Sequence, residues 1–272
     1  ATLVRRPKVM AAAGTSSQGR VENASMRHWS NVPTLGFADV GGQAWAKEQI
    51  RLIAANRFGR NGAHAGVVRN GILLHGPQGT GKNLLAEATA GEIGVNLYHV
   101  GCAELQRHYI GTTGEEIRRT FDHAVNHRPI VLFLDEIDAI GSKKQSQGAG
   151  ADPGGAGREY NAIVTQLMQA IDRYRREGGL LLMAATNHFD GLEPTLIREG
   201  RFDLKLRLDL PDTEDRKQIL RAQLAKRRWK EHDLTTLARR TPGWSPARLQ
   251  ALVDQATLLA SGGVIHEKHL RA

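Results

Sequence analysis

The stretch Gly76-Pro77-Gln78-Gly79-Thr80-Gly81-Lys82-Asn83 holds three glycines and a lysine in eight positions. That combination suits a polyphosphate. Glycine lacks a Cβ, so backbone N–H groups can turn inward and cradle phosphate oxygens. Lys82 adds a point charge for the β- and γ-phosphates. One position departs from the usual pattern: a Ser or Thr normally follows the lysine, and its hydroxyl ligates Mg²⁺. Here the residue is Asn83. An amide oxygen also ligates a hard cation, but it sits one atom further out and cannot ionise. Nucleotide binding therefore follows more directly than a full hydrolysis rate.

Further along, Asp135-Glu136 ends the apolar run Ile130-Val131-Leu132-Phe133-Leu134. Two carboxylates at the carboxyl end of a buried strand lie where open α/β sheets bind ligands. Beside a phosphate loop, one can hold Mg²⁺ while the other poises water. Taken alone, such a pair is also a common strand ending. Asn187 follows a second buried run, Leu180 to Ala185, and could orient water or be a turn residue. Arg198 and Arg201 lie shortly after it, and Tyr109-Ile110-Gly111 places an aromatic and an aliphatic residue beside glycine. His123 and His127 stand four apart on a helical pattern. With no third ligand motif nearby, an exposed helix face is expected rather than a metal site.

These residues need strands and helices to bring them together. Ile72-Leu73-Leu74 reads as the strand before the phosphate loop, and Leu84-Leu85-Ala86-Glu87-Ala88 as the helix after it, whose start adds a positive dipole end. Val95 to Val100 and the runs at 130–134 and 180–185 read as further strands, and the alternating Leu204 to Leu208 as an edge strand with one wet face. Helical patterns run from Trp45 to Ile53, Glu115 to His127 and Arg158 to Arg176. Strands alternating with helices predict an α/β fold, a doubly wound parallel five-stranded sheet. Phe37-Ala38-Asp39-Val40-Gly41-Gly42 precedes the first helix; its glycines would let backbone approach a flat ligand, or simply turn the chain. Ser142 to Gly157 reads as a mobile loop. Beyond Pro211 only helical segments remain, the last spanning Ile265 to Leu270. Residues 1–34 lack periodicity and read as a disordered leader or linker. The expected domains are thus 35–211, the α/β nucleotide-binding unit, and 212–272, a small all-helical lid.

Composition excludes several classes. No apolar run reaches the roughly 18 residues of a membrane span, so membrane association is expected only through a segment outside these 272 residues. A single cysteine, Cys102, excludes an internal disulfide framework and fits a reducing, cytoplasmic compartment. It reads as a buried, inert thiol. The formal charge of +9 is unevenly spread: residues 1–34 carry +4, residues 35–211 are neutral, and residues 212–272 carry +5. A nucleic-acid enzyme would place its excess on the unit that grips phosphates. That makes a nucleic-acid partner unlikely.

Together these motifs resemble those of the AAA+ ATPases, closest to the ATPase module of the membrane-anchored AAA+ proteases and related hexameric protein unfoldases. The resemblance runs from about Phe37 to the end. Gly76 to Asn83 is similar to Walker A, with Leu84 following, and Phe133-Leu134-Asp135-Glu136-Ile137-Asp138 to Walker B. Asn187 matches sensor 1, Arg198 and Arg201 the paired arginine fingers, and Thr241 to Leu249 the lid segment that closes over nucleotide. The resemblance implies ATP and Mg²⁺ as cofactors. Asp135 and Asn83 would hold the metal, Glu136 activate water, and Asn187 orient it. Asp39, Val40, Gly41, Ile219, Gln223, Ala247 and Arg248 would contact the nucleotide. Arg198 and Arg201 would reach a neighbouring subunit's γ-phosphate, which implies a homo-oligomeric ring, a hexamer in the family. Tyr109, Ile110 and Gly111 would form a pore loop gripping a protein substrate, with an adaptor as a further partner.

The chain also departs from the family pattern beyond Asn83. Gln223 stands where a lid histidine often meets the base. Asp172-Arg173-Tyr174 replaces the Asp-Gly-Phe that signals between subunits. Arg248 stands where the nearest branch has Asp, either as a phosphate contact or as a surface arginine. No His-Glu-x-x-His occurs, so these residues carry no zinc protease of that kind. The expected function is a ring-forming ATPase that remodels proteins by threading them. The alternatives are a nucleotide-binding switch with weak hydrolysis and a nucleic-acid remodeller.

Overall fold

Strands β1 (Arg27–Ser30), β2 (Ile72–His75), β3 (Asn96–Gly101), β4 (Ile130–Asp135), β5 (Leu180–Thr186) and β6 (Leu204–Arg207) form one sheet, in the order β1-β3-β4-β5-β2-β6. The computed structural model describes residues 27–58, 71–107, 113–142 and 156–270. Strands β2 to β6 run parallel, as the alternation of strand and helix patterns requires. β1 adds a sixth, antiparallel strand along β3, with Arg27 opposite Val100 and Ser30 opposite Leu97. The disordered leader expected for residues 1–34 is thus corrected for residues 27–30. They carry no strand periodicity of their own. The open edge of β3 supplies their partners, which local sequence cannot reveal.

β4 and β5 lie at the centre, and every residue from Ile130 to Leu134 and from Leu180 to Ala185 is buried. A strand covered on both faces needs such a continuous apolar run. Alternate residues serve opposite faces. Leu132, Leu134, Leu182 and Ala184 pack beneath α3 (Cys102–Arg107), α4 (Thr113–Asn126), α5 (Asp138–Gly141) and α6 (Ala156–Tyr174). Val131, Phe133, Leu181 and Met183 pack beneath α1 (Ala44–Phe58) and α2 (Lys82–Ile93). Among the described residues no helix is long and apolar enough to cross a membrane. Residues 143–155, most of the loop expected to be mobile, lie outside the described set.

Helices α7 (Thr213–Ala225), α8 (Thr235–Arg240) and α9 (Pro246–Leu259) build a separate core around Leu220, Leu224, Leu249 and Val253. Asp212 caps α7 by accepting the Asp215 N–H at 2.8 Å, and Ser245 followed by proline opens α9. The helix expected from Ile265 to Leu270 is only a three-residue 3₁₀ turn, Glu267–His269. Ile265 is held beforehand by a bridge to Trp229, and the bonds that follow span three residues, from His269 N–H to His266 O at 2.9 Å and from Leu270 N–H to Glu267 O at 3.0 Å.

Arg216 fastens this unit to the chain that enters it. Its guanidinium is buried and donates to Pro211 O at 2.9 Å, Ala238 O at 2.8 and 2.9 Å, and Thr213 Oγ1 at 3.0 Å. Arg216→Met keeps an apolar stem but takes the donor from Pro211 O and leaves Ala238 O only the Thr241 hydroxyl, at 3.3 Å. We expect a loss of about 3 kcal/mol, read as a lower thermal midpoint. An unchanged midpoint would show that the carbonyls find other partners.

Candidate nucleotide site

The loop after β2 turns inside itself. Gly81 has φ 91°, a left-handed conformation that side chains avoid, and with no neighbour near its Cβ position the requirement is conformational. Thr80 Oγ1 donates to Pro77 O at 2.9 Å and closes the turn. Lys82, buried at the start of α2, donates to Gly76 O at 2.9 Å and Pro77 O at 2.8 Å. Burial lowers the Lys82 pKa, while Asp135 and Asp138 pull it back up. The ammonium is thus held among the loop carbonyls at the mouth of the cleft.

Asp135 ends β4 with both carboxylate oxygens engaged. Oδ2 accepts from Asn83 Nδ2 at 2.6 Å and lies 3.5 Å from His99 Nε2. Oδ1 accepts the Glu136 N–H at 2.9 Å. Burial pushes the Asp135 pKa up, but the His99 and Asn83 contacts, the charge of His99 and the Glu136 N–H together hold it below the usual carboxylate range. Glu136 has φ 51°, unusual for a residue with a side chain. This turn leaves Glu136 exposed and buries Ile137, whose N–H donates to Ala185 O at 3.0 Å. Asp138 Oδ1 then accepts from Thr186 Oγ1 at 2.6 Å, and Thr186 Oγ1 accepts the His188 N–H at 2.9 Å. The ends of β4 and β5 are thereby tied, which sets Asn187 at the same opening.

A cleft of about 390 Å³ lies between this edge and the helical unit. Gln78, Gly79, Thr80, Gly81, Lys82, Asn83 and Leu84 line its floor, with Asp135, Glu136 and Asn187 at one end. Asp39, Val40 and Gly41 form the other end, and Ile219, Gln223 and Ala247 come from the helices. Gly76 and Pro77 lie outside the lining and act through the carbonyls that hold Lys82. A Cβ on Gly41 would meet the Ile219 backbone at 2.4 Å. Helix α7 is therefore the element that approaches this backbone closely. Gly42 N–H donates to Gln218 Oε1 at 3.3 Å, and Lys226 Nζ stands 3.5 Å from Asp39. The hydrogen bond from Gly36 N–H is the main cause of a lowered Asp39 pKa. Sequence reading gave no site role to Asp215 and Gln250 in the lining, nor to His99 and Thr186, which contact Asp135 and Asp138 behind it. His99 left a trace, because it lies within Val95 to Val100, a run read as a strand.

Other candidates do not join the cleft. Arg248 lies with its guanidinium 4.0 Å from the Trp244 ring centroid, exposed to solvent. Arg201 is 7% exposed and pairs bidentately with Asp172, at 3.0 and 2.6 Å, while also donating to Thr195 O. Arg198 is exposed. Among the described residues lining the cleft, none is an arginine. Tyr109, Ile110 and Gly111 lie outside the described residues. His123 and His127 stack at 4.2 Å on an exposed face, and no cluster of three metal-ligating residues occurs among the described residues. Cys102 is fully buried, which pushes its thiol far above the ordinary range.

The family described as "ATPase family associated with various cellular activities (AAA)" matches residues 72–210, from β2 to the end of the α/β unit. The chain belongs to the AAA ATPase family. It is an ATP-binding, ATP-hydrolysing domain. The chain is 38% identical over 238 residues to the ATP-dependent zinc metalloprotease FtsH 1 of Thermomicrobium roseum, covering 85% of this chain and 35% of the relative. It is 38% identical over 244 residues to the ATP-dependent zinc metalloprotease FtsH of Thermotoga maritima, covering 88% and 39%. The FtsH of Chloroflexus aggregans is 37% identical over 235 residues, covering 84% and 35%. The chain thus spans little more than a third of the length of the relatives it matches.

The Arg201 pair makes a testable statement about pH. Arg201 is the main cause that holds the Asp172 carboxyl below its ordinary value. A lowered folded pKa stabilises above the unfolded value, near pH 4, and the gain fades as pH falls through the folded one. Asp172→Asn is therefore expected to cost about 1 kcal/mol at neutral pH, a figure reduced because solvent screens the half-open carboxylate. The gap between native and variant in chemical denaturation should shrink from pH 5 towards pH 3. A gap independent of pH would assign the loss to packing.

Proposed function

We propose that this chain is the motor of a ring-forming protein remodeller, which hydrolyses ATP at subunit interfaces to thread polypeptide through a central pore. The observation that carries the reading is that the cleft has a lysine, a pair of carboxylates and an amide, yet no arginine among its described lining residues. Charge developing on a transferred phosphoryl group needs such a donor. Exposed Arg198 is the group to supply it, to the next subunit. Arg201, paired with Asp172, holds the segment that presents it.

Within one subunit the loop N–H groups and Lys82 bind the triphosphate. Glu136 takes a proton from the attacking water, and Asn187 orients that water. Asp135, and Asn83 once its amide leaves that carboxylate, would offer oxygen donors that fit a hard divalent cation; Mg²⁺ held there would offset the negative charge of a bound polyphosphate. Asp39, Val40, Gly41, Ile219 and Gln223 enclose the base, so the helical unit follows the state of the nucleotide. Tyr109, Ile110 and Gly111 grip the substrate. A hexamer acting on protein in the cytoplasm fits the similarity to the proteolytic relatives. The Asn83–Asp135 hydrogen bond favours a second reading, a nucleotide-binding switch that hydrolyses slowly.

Three outcomes test the proposal. Specific ATPase activity should rise with protein concentration until the ring is assembled and then level off. Independence from concentration throughout would exclude the ring. Arg198→Ala should lower turnover by roughly 10³-fold with ATP affinity nearly kept, whereas Glu136→Gln should bind ATP and lose turnover altogether. Asn83→Thr decides between the readings: a large gain in turnover supports the slow switch, and an unchanged rate shows that Asn83 suffices.

A further inference from the structure

The reading above leaves one polar group beside the metal-binding carboxylate without a task. His99 lies on β3, whose Gly101 pairs with Asp135. Residues two apart share a face, so the His99 ring stands beside Phe133, with centroids 4.9 Å apart, and beside Asp135. Its Nε2 is 3.5 Å from Asp135 Oδ2, the oxygen to which Asn83 Nδ2 donates at 2.6 Å. Two side chains from two elements therefore converge on one oxygen of a third. His99 does not line the nucleotide cleft; it stands behind the carboxylate.

This arrangement answers a difficulty that Asn83 creates. While its amide donates to Asp135, the amide oxygen is turned away from any ion the carboxylate could share. To serve as a ligand, Asn83 must give up that hydrogen bond. The Asp135 side chain is only 21% exposed, so an oxygen left unpartnered would be poorly compensated by water. His99 in the tautomer that protonates Nε2 remains as a donor to the same oxygen. A Ser or Thr in place of Asn83 would need no such release, because one hydroxyl oxygen can donate to the carboxylate and still offer a lone pair to the ion.

We propose that His99 is a positioning residue for the divalent cation: it holds Asp135 Oδ2 so that Asn83 is released to present its amide oxygen. The inference rests on the reading of the cleft as a metal–nucleotide site. It goes beyond that reading by making the contribution of His99 conditional on Asn83. Two side chains that share a partner should be non-additive. A histidine that merely fills space behind the strand should not be.

The test is a double-mutant cycle on the 272-residue chain, read by Mn²⁺ binding. Free aquo-Mn²⁺ is counted by electron paramagnetic resonance, in the presence of a non-hydrolysable ATP analogue. Nucleotide affinity in EDTA is measured alongside. His99→Ala is expected to weaken Mn²⁺ binding about tenfold in the native background and less than about twofold with Asn83→Thr, leaving the EDTA affinity unchanged. His99→Gln, which keeps an N–H donor at a similar reach, should restore most of the loss. It also stands in if the alanine variant does not fold, its expected effect then being near-native Mn²⁺ binding. Equal losses in both backgrounds, no loss in either, or no rescue by glutamine would overturn the proposal. If the native chain binds the analogue neither with Mn²⁺ nor in EDTA, the reading of the cleft falls and the inference with it. If it binds with Mn²⁺ and the cycle is additive, only the role of His99 falls.

Discussion

The chemistry of this chain depends on three parallel strands ending on the same side. β2 delivers the phosphate loop, β4 the carboxylates and β5 the amide of Asn187. Parallel pairing places their carboxyl ends along one edge, and burial on both faces keeps the register from slipping, since a slip of one residue would turn each side chain to the wrong face. Two links then tighten the edge: the Asn83–Asp135 bond joins the start of α2 to β4, and the Thr186–Asp138 bond joins β5 to the start of α5, just after β4. The positive φ of Glu136 belongs to this tie, because it turns the Glu136 side chain outward while Ile137 anchors beneath.

Across the cleft a different constraint operates. The segment Asp39–Gly42 is pressed against α7 so closely that Gly41 has no room for a Cβ. Together with Gly42 to Gln218 and Lys226 to Asp39, this makes that end of the cleft a joint between two separately packed units. A ligand seated there touches both.

The two arginines near residue 200 have different surroundings despite their shared motif. Arg201 is committed to Asp172 and Thr195, inside its own subunit, whereas Arg198 faces solvent. Asp172 belongs to the segment that departs from the family's signalling tripeptide. Its neighbour Tyr174 is buried, stacks on Phe121 at 5.6 Å and donates to Asp122. The end of α6 is thus fastened to α4 and to the arginine segment at once, a rigid mount for the exposed Arg198.

Much of this was legible in the residues alone. The runs at 72–74, 130–134 and 180–185 announced strands, because burial on two faces demands unbroken apolar sequence. The phosphate loop announced its ligand, because glycine, lysine and a following helix act locally. The AAA resemblance added roles that single residues such as Asn187 could not reveal. Other features had no local signal. β1 exists because β3 has an open edge. Gly41 is required by a helix 178 positions away at Ile219. Arg248 lies on Trp244, and Arg201 on Asp172, because of which side chain happens to be nearest in space. His99 acquires a partner only when β3 and β4 are laid side by side. Short-range chemistry and periodicity are written along the chain, while the meeting of distant side chains depends on packing that no stretch of sequence contains by itself.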